Sequence, residues 1–422
     1  MLFGGFLHRT GKSPISFSPH MVKEWRPQVA GIATPGAFLR LIRDGRAATR
    51  ADLVQLTGLG RSTVSQRVDA LISSGLVKES SEGSSTGGRP PGVLSFNRSA
   101  GVILAADLGA THSRIAATDL GGVVLSETAE AMDIADGPEA VLDWLEKLFD
   151  SLLKKAGRSR ADVRGIGVGV PGPVEFATGR PVSPPIMPGW DGYPIPERFE
   201  SFGVPVLVDN DVNAMAFGEH WSHWRDTDHL LFIKVGTGIG SGIIIDGAIH
   251  RGAQGAAGDI GHIRVSDDET VVCSCGNIGC VEAIAGGRAL ARQLTSLGFE
   301  AKNSDDVVRL VRSGNSDALR LIRQAGRLLG EVASSATNLL NPTVIVVGGD
   351  IAHAHEQLFA GIREIVYQRS LPLATRHLRI VRSELDDRAG TVGAAVMAIE
   401  YVFHPESVDE FIAARFAQES TA

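Results

Sequence analysis

No stretch of this 422-residue chain approaches the roughly 18 consecutive apolar residues of a membrane-crossing helix, which excludes a membrane protein. Aromatic residues are few, 6% of the chain, yet hydrophobic residues reach 43%, the balance of an ordinary soluble globular protein. The opening MLFGGFLHRTGKSP lacks a basic leader, and its apolar run is too short for a signal peptide, which predicts a cytoplasmic chain; Met21 offers an alternative start. Cysteine is nearly missing. The three present, Cys273, Cys275 and Cys280, fall within eight residues, an arrangement that excludes a disulfide framework and points to a metal site. Glycine is abundant at 50 residues, and without a three-residue period these mark tight turns and close backbone approaches rather than collagen.

A single dominant charge is also absent from the whole chain, which carries 41 basic and 48 acidic residues for a net of −7. The two signs are segregated, however. Up to Arg98 there are 13 basic against 6 acidic side chains, net +7, and beyond it 28 against 42, net −14. Phosphate contacts need local positive charge, so a nucleic-acid partner would meet the head alone. The length predicts two or three domains.

Residues 1–30 show no periodicity and read as a loose arm. Three short helical patterns follow, carried by Phe38, Leu39, Leu41 and Ile42, by Ala51, Leu53, Val54 and Leu56, and by Val64, Val68, Leu71 and Ile72. The turn Thr57-Gly58-Leu59-Gly60 separates the last two, and Ser62-Thr63 offers N-cap hydroxyls to the third helix. Leu76-Val77, a polar stretch from Ser80 to Gly88, and Gly92 to Phe96 read as a two-stranded wing. This is the pattern of a winged helix-turn-helix, whose third helix enters the major groove. With Val64, Val68 and Leu71 inward, Arg61, Ser62, Thr63, Ser65, Gln66 and Arg67 remain to contact bases and phosphates, and Arg89 in GGRPPG adds a cation beside the backbone. A three-helix protein-interaction module is the alternative; nine basic against five acidic side chains over residues 31–98 favour DNA.

Beyond Asn97, β-rich segments such as GVILAAD, RIAATD, GIGVGV and VPVLVD alternate with helical ones, and a second set runs through HLLFIKV, GSGIII and TVIVVGG. That is α/β patterning. DLGATHSRIAATDLGGVV and GTGIGSGIIIDGAIHRG each place a small-residue turn between two strands, which suggests two related lobes around a cleft. Gly109 and Thr111 in the first turn could approach phosphate, with Asp107 holding magnesium through water; an ordinary hairpin turn is the plainer reading. Gly236, Thr237 and Gly238 in the second turn, and Gly348-Gly349 after an apolar strand, complete a candidate nucleotide site. Asp211 follows a strand and opens a helix, where it could take a proton from a sugar hydroxyl or simply cap the helix. His262, Cys273, Cys275 and Cys280 form a complete tetrahedral set for structural zinc, with Asp259 and Glu282 flanking it.

From about Pro35 to Met397 these pieces, in this order, resemble the ROK family of repressors, open reading frames and sugar kinases. The matching motifs are the DLGAT turn, VGVPGPV at 168–174, PPIMPGW at 184–190, DNDVNA at 209–214, GTGIGSG, GAAGDIGH at 255–262 and CSCGNIGCVEA. The resemblance implies two RNase-H-like lobes of actin/hexokinase type with an interlobe cleft, one over 99–218 and one over 219–422, the last helix returning to the first lobe. Residues 31–98 would be the DNA-binding domain. It also implies sugar contacts from Asn210, Asp211, Asp259, His262 and Glu282, with Asp211 the base in a kinase. Two positions depart from the kinase pattern: Asp259 stands where the kinases usually carry Glu, and Ala110, whose Cβ would crowd a phosphate, where they carry a second glycine. A DNA-binding head marks the family's repressors. The expected function is therefore a sugar-responsive transcriptional regulator, binding operator DNA as a homodimer or homotetramer and taking a sugar or sugar phosphate as effector. The alternative is an ATP-dependent sugar kinase, glucokinase-like or acting on an N-acetylhexosamine, which would require Mg-ATP.

Overall fold

The computed structural model describes residues 33–80 and 92–419; the arm of residues 1–30, most of the wing turn and Arg89 lie outside the described residues. Helix α1 (Pro35–Arg43) begins on Thr34, whose hydroxyl accepts the Ala37 N–H at 3.3 Å, and Pro35 occupies the first turn, where its missing N–H loses no bond. Helix α2 (Arg50–Thr57) starts in a capping box of Thr49 and Asp52 and stops at Gly58, φ +69°. Helix α3 (Arg61–Ser73) departs from the sequence expectation. Its N-cap is Gly60 without a side-chain cap, and Ser62 and Thr63 lie inside the first turn, because the two glycines complete the reversal by themselves. Phe38, Leu39, Leu53, Val64, Val68 and Leu71 are fully buried between the three helices. Strands β1 (Val77–Ser80) and β2 (Val93–Phe96) pair antiparallel beside them. One guanidinium ties the unit together: Arg50 reaches Glu79 on β1 at 3.0 and 2.9 Å and Asp69 on α3 at 2.8 Å.

The remainder is mixed α/β and contains two five-stranded sheets of the same plan. In the first, β3 (Val102–Leu108), β4 (His112–Asp119) and β5 (Val124–Ala131) form an antiparallel meander, while β6 (Val163–Val170) and then β9 (Val206–Asn210) run parallel to β3. A short ribbon, β7 (Val174–Glu175) and β8 (Arg180–Pro181), lies between the last two in sequence. In the second, β10 (Leu230–Val235), β11 (Ile239–Ile245) and β12 (Ala248–Ile249) are the meander, and β13 (Val344–Gly348) and β14 (Arg379–Arg382) run parallel to β10. Each sheet thus adds two parallel strands to one side of an antiparallel trio, the physical form of the repeat read in the sequence. Helices α4 (Pro138–Lys155) and α5 (Ile195–Arg198) pack on the first sheet. Helices α7 (Val281–Ala285), α8 (Gly287–Ser296), α9 (Ser304–Arg312), α10 (Ser316–Leu340) and α11 (His355–Arg369) cover the outer face of the second, followed by the one-turn α12 (Pro372–Thr375). Among the described residues no helix is long and apolar enough to cross a membrane.

Between the sheets lie α6 (Asp211–His223), against β10 and β11, and α13 (Ala389–Val402), against β3 and β6. Missing side chains bring this pair together. A Cβ on Gly393 would run into the Ala214 carbonyl, and one on Gly218 into the Ala389 carbonyl. The chain then breaks at Phe403-His404 and forms α14 (Pro405–Glu419), where the sequence suggested one continuous last helix. The break is the dock for the head. The Gly36 N–H donates to Asp409 at 2.8 Å, Phe96 meets Phe403 edge to face with centroids 5.1 Å apart, and Arg43 pairs with Glu400 beneath the Phe403 and Trp221 rings. A Cβ on Gly36 would collide with the Pro405 carbonyl, so Gly36→Ala should destabilise the dock by about 1–3 kcal/mol. Hydrogen exchange is expected to show residues 33–80 opening faster in that variant while the two sheets keep their protection.

Candidate functional site

The N-terminus of α6 is the centre of the cleft. Asn210 is the cap, its Oδ1 accepting the Val212 and Asn213 N–H groups at 2.9 and 3.3 Å while its Nδ2 donates to the Gly172 carbonyl at 3.1 Å. Capping by Asn210 releases Asp211, at the first helical position, for other work. Asp211 is 3% exposed; its Oδ1 accepts the Val212 N–H at 2.9 Å, and its Oδ2 accepts from Lys234 Nζ at 2.6 Å. Burial opposes the Lys234 charge, but Asp211 and Asp107 outweigh it and raise its pKa above the ordinary lysine value. Asp107, at the end of β3, faces the same ammonium. Burial pushes it up to about 7 against the pull of Lys234, and its Oδ1 has no hydrogen-bond partner. Gly390 admits it, for a Cβ there would strike the Asp107 carboxylate.

Beside Asp211, Asp209 is 3% exposed and fully engaged. It accepts from Arg251 at 2.8 and 2.7 Å, from Asn213 Nδ2 at 2.9 Å and from the Asn210 N–H at 2.8 Å, and Arg251 stacks 3.6 Å over the Phe176 ring. Sequence reasoning missed Asp209, Arg251 and Lys234. The signal for Lys234 was a lone charge in the apolar strand HLLFIKV, two residues before the glycine turn.

The expected glycine sites are used differently from one another. Gly109 accommodates its own hairpin: its N–H bonds the His112 carbonyl at 3.0 Å, and Thr111 leans on the His112 ring at 3.0 Å. Gly238 makes room for Glu282, whose Oε2 accepts the Ile239 N–H at 2.9 Å. Gly240 and Gly242 admit Val212 and Ala216 of α6. Gly348 lies against the Phe232 ring, and Gly349 has φ +86° close to the Val235 backbone. Gly236 faces Lys234 and Asp350, and its carbonyl, with that of Thr237, receives the first N–H groups of α8.

His262, Cys273, Cys275 and Cys280 come together, their four donor atoms all within 4.8 Å of one another. His262 Nδ1 is 3.5 Å from Cys273 Sγ, and Cys275 Sγ is 3.8 Å from Cys280 Sγ. Tetrahedral zinc, with Zn–S of about 2.3 Å and Zn–N of about 2.0–2.1 Å, places its ligand atoms about 3.5 and 3.8 Å apart along those edges. The donor chemistry agrees as well. Burial and the neighbouring thiols push Cys280 up to about 12, so three thiolates share this space only around a cation. The other imidazole nitrogen, Nε2, lies 3.9 Å from Asp259, so one ring can serve the metal cluster and the cleft. Gly279, at φ +72°, folds the loop back on the Ser266 carbonyl.

A family model described as the ROK family matches residues 103–401. The xylose repressor of Caldicellulosiruptor bescii is 33% identical over 376 residues, covering 86% of this chain and 94% of that protein. The DNA-binding transcriptional dual regulator NagC of Escherichia coli is 29% identical, with 85% and 90% covered. Among solved structures, a ROK family transcriptional regulator described as a homolog of the E. coli MLC protein aligns at TM-score 0.76 and 27% identity over 90% of this chain and 98% of its own. A ROK family glucokinase from Streptomyces griseus in complex with glucose and AMPPNP aligns at TM-score 0.61 and 29% identity, over 71% of this chain and 99% of its own.

Two outcomes are expected. Elemental analysis should find one zinc per chain, and Cys275→Ser should lose it. Asp107 holds a proton in the folded chain that it releases near an ordinary carboxyl value when unfolded, so it subtracts stability as pH rises from about 4 to about 7 and no further above that. Asp107→Asn removes this loss. Its melting temperature should equal the parent's near pH 4 and exceed it by several degrees above pH 7.

Proposed function

The chain belongs to the ROK family, on its transcriptional-regulator branch, and from that premise we propose a sugar-responsive, DNA-binding repressor of carbohydrate metabolism that acts in the cytoplasm. The carrying observation is the extent of similarity. Regulators match this chain over 85–90%, more than the residues beyond the head can supply, whereas the glucokinase matches 71%, the same share that the family model over residues 103–401 takes. On α3, Arg61, Ser62 and Gln66 are exposed, and Thr63, Ser65 and Arg67 are partly so, around an uncapped helix N-terminus suited to a phosphate. Arg89 would add a wing contact. A two-fold homodimer, alone or paired into a tetramer, would match a palindromic operator.

Asn210, Asp211, Asp259, His262 and Glu282 would hold the sugar hydroxyls, with structural zinc fixing His262 through Nδ1 and leaving Nε2 for the ligand. Relatives named as xylose repressors make D-xylose the first effector to test. Closure on the sugar can change DNA affinity only where open and closed forms bind operator differently. Asp211 stands where a kinase base would, and Asp107, Gly109, Thr111, Gly236, Thr237, Gly238, Gly348 and Gly349 outline where Mg-ATP would lie. The Lys234 ion pair weighs against that use.

Anisotropy titration of an operator selected from random duplexes should give tight binding that D-xylose or another sugar of a hexose, amino-sugar and sugar-phosphate panel relieves. That sugar should also raise the melting temperature without needing ATP. Arg61→Ala with Gln66→Ala should weaken binding by more than tenfold at matched salt, from about 1–3 kcal/mol per base contact. Unchanged operator binding would refute the recognition-helix assignment, and a panel without any stabilising sugar would refute the effector.

A further inference from the structure

One ammonium stands where the first sheet, α6 and the second sheet meet. Lys234 interrupts a strand whose other members, Leu230, Leu231, Phe232, Ile233 and Val235, are all buried. Its Nζ donates to Asp211 at 2.6 Å. Asp107 comes from the opposite sheet with an unpartnered buried oxygen. Asp350, in the turn after β13, flanks the same glycine as the lysine does: a Cβ on Gly236 would stand 3.6 Å from Lys234 Cε and 3.7 Å from Asp350 Oδ2. Carboxylates from three separate elements therefore surround one ammonium, Asp211 in direct contact and Asp107 and Asp350 farther off but close enough to act on its charge. A convergence of carboxylate oxygens is what a hard divalent cation takes, and such a cation serves phosphoryl transfer by keeping positions open for nucleotide phosphates. An ammonium brings one charge and three N–H donors and keeps no position open.

We propose that the Lys234 ammonium is a built-in replacement for a divalent cation among Asp107, Asp211 and Asp350, so that the cleft does not take a metal-nucleotide. The charge balance accords with this. One ammonium offsets one carboxylate, and burial raises the pKa of Asp107 and of Asp350, which makes both readier to take up a proton. Asp211 keeps both oxygens engaged, Oδ1 by the Val212 N–H and Oδ2 by the ammonium, and meets a sugar hydroxyl as a hydrogen-bond acceptor. The inference rests on the cleft geometry and goes beyond the regulator reading; loss of operator or sugar binding would refute that reading and leave this one standing.

The test is Mn2+ titration of the zinc-loaded full chain, followed by the loss of the free-ion electron paramagnetic resonance signal. The parent protein should leave the signal undiminished up to millimolar Mn2+. Lys234→Met and Lys234→Gln should each gain one bound Mn2+ with at least tenfold tighter affinity than any parent binding, and adding Asp107→Asn should abolish the gain. Cleft binding by the parent, recognised by its loss in Asp107→Asn, would overturn the proposal, as would a folded Lys234 variant with no gain. Circular dichroism and zinc content establish folding; should both variants fail to fold, the parent and Asp107→Asn titrations decide the matter alone.

Discussion

The close approach of α6 and α13 is the constraint on which the rest of the molecule depends. It exists because backbone occupies space that side chains would otherwise fill: Gly393 against the Ala214 carbonyl, Gly218 against the Ala389 carbonyl, Gly167 of β6 against the Ala394 carbonyl, and Gly242 of β11 against Val212 and Ala216. The two sheets thus share one helical layer in addition to the core that each closes with its own helices. Such contacts tolerate no added volume, since interiors are close-packed and a single methyl must displace backbone here. The pair also joins the two ends of the protein. The first residue of α6 is Asp211 in the cleft, and near its last turn Trp221 stacks under Arg225 and beside Arg43 of the head. α13 ends in Glu400 and Phe403, which hold the same Arg43. Through Arg43, α1 thus touches both helices of the layer between the sheets.

Cross-sheet ion pairs fix the cleft end of that layer. Lys234 of the second sheet reaches Asp211, and Arg251, just past β12, reaches Asp209 at the end of β9. Both acceptors are buried, so each pair is charge-assisted and little screened, and breaking one partner away would leave an uncompensated charge. The Asp209 oxygens are saturated, which makes that pair a positioning device, whereas Asp211 retains lone pairs for a ligand. Geometry, more than charge count, separates the structural aspartate from the ligand-facing one.

How much of this was legible in the sequence follows from how local each signal is. The metal cluster was readable because its four ligands lie within nineteen residues and their types and spacing are themselves the chemistry. The three head helices and most strands were readable from periodicity, and the duplicated sheet plan from two glycine turns. What the glycines of GTGIGSG admit was not readable: a missing Cβ tells that something comes close, and only the fold reveals Glu282, Val212 and Ala216 in the gap. β14 escaped because RIVR is short and half charged; the start of α14 was marked by Pro405, which ends the preceding helix, and was passed over in reading one last helix. Lys234 was visible as an oddity, but its meaning depends on Asp107, which lies far away in sequence.

These features bear on why a cleft of this kind serves regulation. A sensor must bind its sugar and release it unchanged, since a chemical step would consume the signal that it reports. Phosphoryl transfer needs a mobile divalent ion shared between protein and nucleotide, so the chemistry is lost when the positive charge is covalently part of the chain and already paired. Sugar recognition survives the same change, because a carboxylate that accepts a hydroxyl needs only its geometry, and that geometry is here held by the Asn210 cap, the Arg251 pair and the zinc-type loop around His262. A lysine in place of an ion would thus remove turnover while leaving the binding surface intact, and Lys234 also bonds a strand of the second sheet to the first residue of α6.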